Sequence, residues 1–191
     1  MQHSIFAVEL CARLVPESPL RFALAEVISS APERMSLHQK WMQYQRASQI
    51  LVENLSSVER GCWDYFNDDA RALKDFEMWS QGMIGEEGVR AEPSGLIDPY
   101  RSEPRYLTFT MALLLVQDSP TDVMLRGLCN IPEAYLWHKE TIARILRGMA
   151  QVSFASVKGD VMYLIPRDDG WGLTPQDLEQ EKFEYLRVLT G

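Results

Sequence analysis

His138 and Glu140 are one pair of side chains whose types could do chemistry together, as a general base and the carboxylate that orients it. Both lie in the segment 132–149, whose apolar pattern predicts a helix. Side chains two positions apart on a helix point roughly 200° away from each other, so they do not face a common substrate. The pair therefore fits a solvated helix face better than a catalytic site.

Four aspartates near the carboxyl end, Asp160, Asp168, Asp169 and Asp177, could offer oxygen ligands to a divalent cation. Their spacing lacks the loop pattern of a calcium-binding helix–loop–helix motif. Asp168 and Asp169 precede Gly170 in a sequence typical of a turn, and Asp177 is placed to cap a helix. We therefore predict no metal-ligating residue.

Aromatic side chains are dense in the first half of the chain, above all in the fragment 61–66 (GCWDYF). Core packing is the commoner role of such side chains, but they could also line an apolar pocket or an interface. Our candidates for a pocket or interface are Trp41, Trp63, Tyr65 and Trp79.

The sequence carries no motif of cofactor-dependent or nucleophilic chemistry. It contains neither a G-x-G-x-x-G or Walker loop nor a G-x-S-x-G elbow. The three cysteines, Cys11, Cys62 and Cys129, lie far apart among apolar residues, which is typical of buried thiols rather than of disulfides or a zinc site. We therefore predict no cofactor and no catalytic residue, and we expect a reducing, cytoplasmic compartment.

The acidic composition disfavours several classes of partner. There are 27 Asp and Glu residues against 19 Lys and Arg, a formal net charge of −8, so a nucleic acid or an anionic membrane surface would be repelled on average. The longest uninterrupted apolar run is 111–116, far short of the roughly 20 residues that span a bilayer. We expect neither nucleic-acid binding nor membrane insertion.

Two amphipathic helices are predicted at 36–59 and 69–83, where apolar side chains recur every three or four positions. Ser36 can cap the first and Gly61 stops it. Because neither helix can bury its apolar stripe alone, we expect an antiparallel, N-terminal helical hairpin.

The remaining elements are predicted less uniformly. The strongest strand is 105–116, and a short helix is expected at 19–30. The segment 4–15 could be a strand or a helix, and so could 120–129, although Ser119-Pro120 favours a helix start there. A hairpin or a bulged strand fits 151–165. A capping box at 174–177 predicts a terminal helix running to about Leu189.

These elements predict an α+β fold, with a mixed or antiparallel sheet covered by helices on one side. The length of 191 residues suits one domain, 1–191. It divides into a helical half at about 1–84, a loop at 85–105 rich in glycine and proline, and a mixed β/α half at 106–191.

The order of motifs in the second half resembles that of a known domain family. The residues that carry the likeness are the strand 107–116, the helix 142–149, the strand end 163–166 (YLIP), the turn 168–170 (DDG), the cap 173–178 (LTPQDL), the closing pair Tyr185-Leu186 and, in the first half, 62–65 (CWDY). The family is an uncharacterised one of bacteria, cyanobacteria and plastids, whose plastid members are linked to acclimation to fluctuating light. The likeness spans most of the chain, but the family's proline before the final leucine is absent here. The resemblance implies an α+β domain of unknown activity and transfers no catalytic residue.

Two functions follow as hypotheses. The first is a non-enzymatic domain that binds another protein or forms a homodimer, because apolar and aromatic helices are abundant and no reactive cluster is apparent. The alternative is a small-molecule-binding protein or an enzyme, with a pocket between the helical hairpin and the sheet.

Overall fold

The computed structural model describes residues 2–15, 19–84, 103–166 and 172–191, and the side chains of 83 and 84 are not among them. The predicted loop 85–105 lies outside these ranges as far as residue 102, and so does the predicted turn 168–170. Within the described residues, the helices are α1 (Leu20–Ser29), α2 (Leu37–Glu53), α3 (Asp69–Ile84), α4 (Pro120–Cys129) and α5 (Lys139–Gly148). The strands are β1 (His3–Leu14), β2 (Val58–Phe66), β3 (Arg105–Val116), β4 (Val157–Ile165) and β5 (Arg187–Val188).

The strands form one antiparallel sheet in the order β4-β3-β1-β2-β5. The predicted α+β class is thereby confirmed, and of the two sheet types expected the antiparallel one is present. The ambiguous segment 4–15 is the strand β1, which pairs on both edges, with β2 and with β3. A strand in this position is covered on both faces, which explains why its sequence is almost wholly apolar.

The register of the sheet places four side chains in one row across it. Glu9 of β1 lies opposite Cys62 of β2 and Thr110 of β3, and Thr110 lies opposite Tyr163 of β4. Opposed residues of neighbouring strands point to the same face, and successive residues of one strand point to opposite faces. The row Cys62–Glu9–Thr110–Tyr163 therefore shares a face with Ile5 and Ala7, and the other face carries Phe6, Val8 and Leu10.

The larger hydrophobic core lies on the face of Phe6, Val8 and Leu10, which we call the first face. Helices α1, α2, α4 and α5 cover it and bury their apolar stripes there. The buried residues of these helices include Leu20, Leu24, Tyr44, Ala47, Leu51, Leu125, Ile142, Ile145 and Leu146. Each large apolar side chain removed from water in this way contributes roughly 1.5–3 kcal/mol of transfer free energy.

The opposite face, which we call the second face, is covered in two parts. Ala72, Phe76 and Trp79 of α3 pack on one end of it, against Ile5, Ala7 and neighbouring strand residues. The C-terminal segment 173–186 packs on the other end, where Leu173, Leu178, Phe183 and Leu186 surround Cys11. The middle of the second face lies between α3 and the C-terminal segment.

The predicted N-terminal helical hairpin is not confirmed. The chain begins with a strand, and residues 58–66, which we expected to end the first helix and link it to the second, form β2 instead. Helices α2 and α3 consequently pack on opposite faces of the sheet, so helices cover both faces rather than one. The reason is tertiary, because pairing with β1 extends a segment whose own pattern does not alternate clearly.

Several other elements refine the expectations from sequence. Residues 120–129 form a helix that Ser119 caps, and the helix expected at 132–149 begins only at Lys139. The segment 151–165 provides one strand with a register irregularity, opposite Leu114/Leu115. The predicted terminal helix is wrong, because 177–179 and 181–183 form separate 3-10 turns followed by β5. None of the described helices is long and apolar enough to cross a bilayer.

Candidate functional site

A cavity of about 680 Å³ opens on the second face, between α3 and the C-terminal segment. We call it the second-face cavity. Its apolar lining comes from all three structures that meet there, the sheet, α3 and the C-terminal segment, and includes Ile5, Ala7, Phe66, Trp79, Ile165 and Phe183. Its volume falls in the usual range of small-molecule sites, and mostly apolar walls with a few polar groups are typical of them.

Glu9 lies on the floor of the second-face cavity, on the central strand of the sheet. Only 2% of the residue is exposed, although it lines the cavity. Its neighbours in the cross-strand row, Cys62 and Tyr163, line the cavity as well. The pairing of β1 with β2 and with β3 therefore fixes this carboxyl group on the face of the sheet that lines the cavity.

Tyr185 holds Glu9 from the opposite side of the cavity. Its hydroxyl donates a hydrogen bond to Glu9 Oε2 across 2.6 Å. Its ring meets the Trp79 ring edge to face, with centroids 6.0 Å apart. Tyr185 thereby ties the C-terminal segment to both β1 and α3, the three structures that enclose the cavity.

Burial dominates the ionisation of this pair. Desolvation raises the pKa of the Glu9 carboxyl above its ordinary value, and the hydroxyls of Tyr185, Thr108 and Thr110 act in the opposite direction without cancelling it. Desolvation also raises the pKa of Tyr185, and the nearby Glu9 carboxylate raises it further. Tyr185 therefore keeps its proton and can donate it to the Glu9 carboxylate, and Glu9 can exchange a proton nearer neutrality than an exposed glutamate can.

The charged residues that line the cavity are Asp64, Arg71, Asp75 and Lys182 in addition to Glu9. The Arg71 guanidinium lies over the Phe66 ring, 3.1 Å from its centroid, and its Nε lies 3.4 Å from Asp75 Oδ2. The Lys182 ammonium lies 5.3 Å from the Phe183 ring centroid. Both cationic groups are thus engaged at aromatic walls.

The side chain of Tyr163, on β4, extends to the backbone of α3 at Gly82, beside the second-face cavity. A Cβ atom at Gly82 would lie 2.5 Å from the Tyr163 hydroxyl oxygen, closer than real Cβ atoms approach. Desolvation raises the pKa of Tyr163, so its hydroxyl, like that of Tyr185, stays protonated. A larger residue at this position of the helix would require the Tyr163 side chain to shift.

Cys62 is a thiol, not a thiolate nucleophile, in this environment. Desolvation raises its pKa to about 12, and the carboxylates of Asp64 and Glu9 add to the effect. Nucleophilic attack needs a thiolate, which is formed where cationic groups lower the pKa. The cavity therefore offers hydrogen bonding, proton exchange and apolar contact.

The four predicted pocket or interface residues occupy different places. Trp79 lines the second-face cavity. Trp63 and Tyr65 point to the first face, where Trp63 Nε1 donates to the Leu136 carbonyl over 3.0 Å and the Tyr65 hydroxyl donates to Asp122 over 2.6 Å. Trp41 lies on α2, and its Nε1 donates to the Ala150 carbonyl over 3.0 Å. The structure does not bring these four residues together.

Analysis of the sequence missed Glu9 and Tyr185. One signal was available, since Glu9 stands alone as a carboxylate within the apolar run of β1. A carboxyl group in the middle of a buried strand carries a desolvation penalty and marks a candidate site. Nothing in the sequence indicates that Tyr185, 176 positions away, would meet it.

Of the other candidate residues, His138, Asp160 and Asp177 have structural partners, and Asp168 and Asp169 lie outside the described residues. The backbone of His138 precedes α5, and its ring packs edge to face on Tyr135. Asp160 pairs with Lys40, and Asp177 accepts from the Thr174 backbone amide over 2.7 Å. Across the part of the chain that the structure describes, no three His, Cys, Asp or Glu residues are grouped so as to hold a metal ion.

A second buried carboxylate, Asp122, belongs to a network on the first face. It accepts hydrogen bonds from Ser4, from the Tyr65 hydroxyl, from the Asp118 backbone amide and from Arg126. Burial by itself raises the pKa of Asp122, but these hydrogen bonds outweigh burial and hold the pKa below its ordinary value. With its oxygens engaged, Asp122 joins α4 to β1 and β2 as a structural residue.

Comparison of the chain with models of protein families, with curated proteins and with solved structures found no match. The resemblance to the uncharacterised domain family therefore stays a prediction. The function has to be argued from the geometry of the second-face cavity.

Proposed function

We propose that this protein binds a small organic molecule in the second-face cavity. The apolar body of the ligand would contact the aromatic walls, and a polar group would reach Glu9 and Tyr185 on the floor. The observation that carries this proposal is the buried Glu9–Tyr185 hydrogen bond at the base of a cavity of about 680 Å³.

The free-energy balance of the second face supports the proposal. The apolar walls of this open cavity are in contact with solvent, and covering apolar surface releases roughly 25 cal/mol for each Å² removed from water. Burying a carboxyl group carries a penalty. A ligand that covers the apolar walls and hydrogen-bonds to Glu9 would gain the first contribution and offset this penalty. A carboxyl group with a raised pKa could also exchange a proton with that ligand, which is the basis of the enzymatic alternative.

Filling the cavity tests this proposal. Cys62 lines the cavity beside Glu9, so Cys62→Phe would occupy space that Cys62→Ser leaves open. Val188→Phe, at an exposed position on β5 outside the lining, is the matched control for added aromatic volume. We would screen a library of small fragments by saturation-transfer NMR against the wild type and the three variants.

We expect some fragments to bind the wild type, Cys62→Ser and Val188→Phe with similar affinity. The same fragments should bind Cys62→Phe at least tenfold more weakly. Thermal unfolding of each variant checks that the fold is intact. If no fragment binds, or if every fragment binds Cys62→Phe as well as the wild type, the second-face cavity is not a ligand site.

The hypothesis of a protein-interaction domain stays a prediction. Large apolar side chains are exposed on several described helices, including Phe22 on α1, Met42 on α2 and Val123 on α4. Multi-angle light scattering over a range of concentrations measures whether the chain forms a homodimer. A monomer at every concentration, with no partner bound, would count against that hypothesis.

A further inference from the structure

We propose that the ligand of the second-face cavity is an organic cation, an amine attached to an apolar body. This inference rests on the proposed function and names the class of ligand. It is carried by two features of the cavity, a buried carboxyl group that has no cationic partner in the described part of the chain and walls that are rich in aromatic rings.

Glu9 has no counter-ion among the residues that the structure describes. In the ranges 2–15, 19–84, 103–166 and 172–191, no lysine, arginine or histidine forms an ion pair with it. A buried carboxylate that is not paired with a cation carries a large desolvation penalty. A ligand ammonium group at the cavity floor would supply the missing charge where it is worth most.

The groups that face Glu9 from each surrounding element leave its charge unbalanced. They are Cys62 from β2, Thr110 from β3, Tyr163 from β4 and Tyr185 from the C-terminal segment, all neutral at neutral pH. The helix α3 contributes Trp79, also neutral, together with Arg71 and Asp75, which face each other.

The remaining charges of the lining do not favour an anion. Lys182 lies over the Phe183 ring, and Asp64 of β2 adds a second carboxylate from the sheet. With all groups ionised, the lining therefore holds Glu9, Asp64 and Asp75 against Arg71 and Lys182. A carboxylate or phosphate ligand would have to approach Glu9, whereas an ammonium group would be attracted to it.

Aromatic rings complete the site for a cation. Trp79, Tyr163 and Tyr185 line the cavity together with Glu9, and Phe66 and Phe183 line it as well. The face of an aromatic ring attracts an ammonium group, and desolvated cation–π contacts are stronger than exposed ones. This protein already uses that contact, since Arg71 lies over Phe66. The same walls provide apolar area for the body of the ligand.

Matched probes of equal shape and different charge test the inference. We would use three bodies, phenyl, indolyl and linear alkyl, each as an amine, an alcohol and a carboxylate. The phenyl series is 2-phenylethylamine, 2-phenylethanol and 3-phenylpropionate. The other two are tryptamine, tryptophol and indole-3-propionate, and octylamine, octan-1-ol and octanoate. Isothermal titration calorimetry and saturation-transfer NMR at pH 7.5 would give the affinities.

We expect the amine of at least one series to bind at least tenfold more tightly than its alcohol and its carboxylate. Glu9→Gln should remove this preference and leave the affinity for the alcohol within about threefold. Glu77→Gln, at an exposed position of α3 outside the cavity lining, should change neither the preference for the amine nor the affinity for the alcohol. Tyr185→Phe, which keeps Glu9 but deletes its donor, should retain the preference for the amine.

The outcomes separate this inference from the proposed function. If probes bind but no series shows a tenfold preference for its amine, and Cys62→Phe abolishes the binding, the cavity is a ligand site but the ligand is not a cation. If none of the nine probes binds, the organic-cation inference is also overturned. The proposed function then fails only if the fragment library likewise yields no ligand that depends on the space beside Cys62.

Discussion

The hydroxyl of Tyr185 donates to the carboxyl group of Glu9 across 2.6 Å, which joins the two ends of the chain inside the second-face cavity. Glu9 belongs to the central strand of the sheet and Tyr185 to the segment that follows the last 3-10 turn. The C-terminal segment that carries Tyr185 also packs on the side of β1 that carries Cys11, through Leu173, Leu178, Phe183 and Leu186.

The pH dependence of stability should reveal the buried Glu9. Its pKa is raised in the folded state above the ordinary value of 4.5, so the folded protein binds more protons than the unfolded chain between those two pKa values. Stability contributed by protonated Glu9 is thus complete below about pH 4 and is lost as the pH rises through the folded pKa. The loss is about 1.4 kcal/mol for each pH unit that separates the two pKa values.

We therefore expect Glu9→Gln to gain stability relative to the wild type as the pH rises from 4 to 8, in urea denaturation followed by circular dichroism. Glu77→Gln, at an exposed position of α3, serves as the control and should track the wild type. A difference between Glu9→Gln and the wild type that stays constant with pH would contradict a raised pKa at Glu9.

The contact between α3 and β4 should be sensitive to the size of residue 159. A Cβ atom at Gly159 would lie 2.7 Å from ring atoms of Phe76, whereas a Cβ at Gly127 of α4 would meet nothing within 4 Å. Gly159→Ala should destabilise by about 1–3 kcal/mol, because Phe76 must move. Gly127→Ala should stabilise by about 0.5–1 kcal/mol, because alanine favours the helix. Thermal unfolding of the pair checks both signs, and a neutral Gly159→Ala would show that Phe76 is not fixed.

The three cysteines should react slowly in the folded protein. Desolvation is the largest cause that raises the pKa of each thiol, Cys11, Cys62 and Cys129, to about 12. From an ordinary value of 9.0, this lowers the thiolate fraction roughly a thousandfold. Mass spectrometry after iodoacetamide treatment at pH 8, with and without urea, would measure the rates. Labelling of Cys62 at the rate of the denatured chain would refute the buried thiol at the cavity floor.

The network around Asp122 should stabilise the first face. Asp122→Asn removes the ion pair with Arg126 and places the amide NH₂ of asparagine, a hydrogen-bond donor, next to groups that are themselves donors. We therefore expect the free energy of unfolding to fall by about 1–3 kcal/mol. Asp118→Asn also removes an ion pair with Arg126, but the Asp118 side chain is 74% exposed and its loss should be within about 0.5 kcal/mol.

The pH dependence supplies a second check on Asp122. Because its folded pKa is lowered, the stability it contributes is present above the unfolded pKa and is lost as the pH falls through the folded value. The difference in the free energy of unfolding between Asp122→Asn and the wild type, measured by urea denaturation, should therefore become smaller below about pH 4. Equal losses for Asp122→Asn and Asp118→Asn at neutral pH would argue against the buried network.

Local signals predicted much of the secondary structure. Ser36 caps α2 by accepting from the Gln39 amide over 3.2 Å, and Ser119 caps α4 by accepting from the Asp122 amide over 3.3 Å. The capping box at 174–177 also forms, since the Asp177 amide donates to Thr174 Oγ1 over 3.1 Å, but no α-helix follows it. A cap satisfies donors in one turn, whereas the length of a helix depends on what its apolar side chains can pack against.

The candidate site was less predictable than the helices. Trp79 was a candidate and does line the second-face cavity, but Trp63 and Tyr65, from the same aromatic-rich region, point to the opposite face. Their direction follows from the register of β2 on β1, in which a shift by one residue would exchange the faces. That register is a long-range property that the fragment 61–66 does not encode alone.

By itself, the sequence determined the α+β class, the caps of α2 and α4 and the apolar strand β3, because these depend on side-chain types within a few residues of one another. Tertiary structure alone decided that β2 separates α2 from α3, that the two helices cover opposite faces, and that Tyr185 meets Glu9. These outcomes depend on strand register and on contacts between residues far apart in the chain, whose free energy is gained only when the whole sheet has formed.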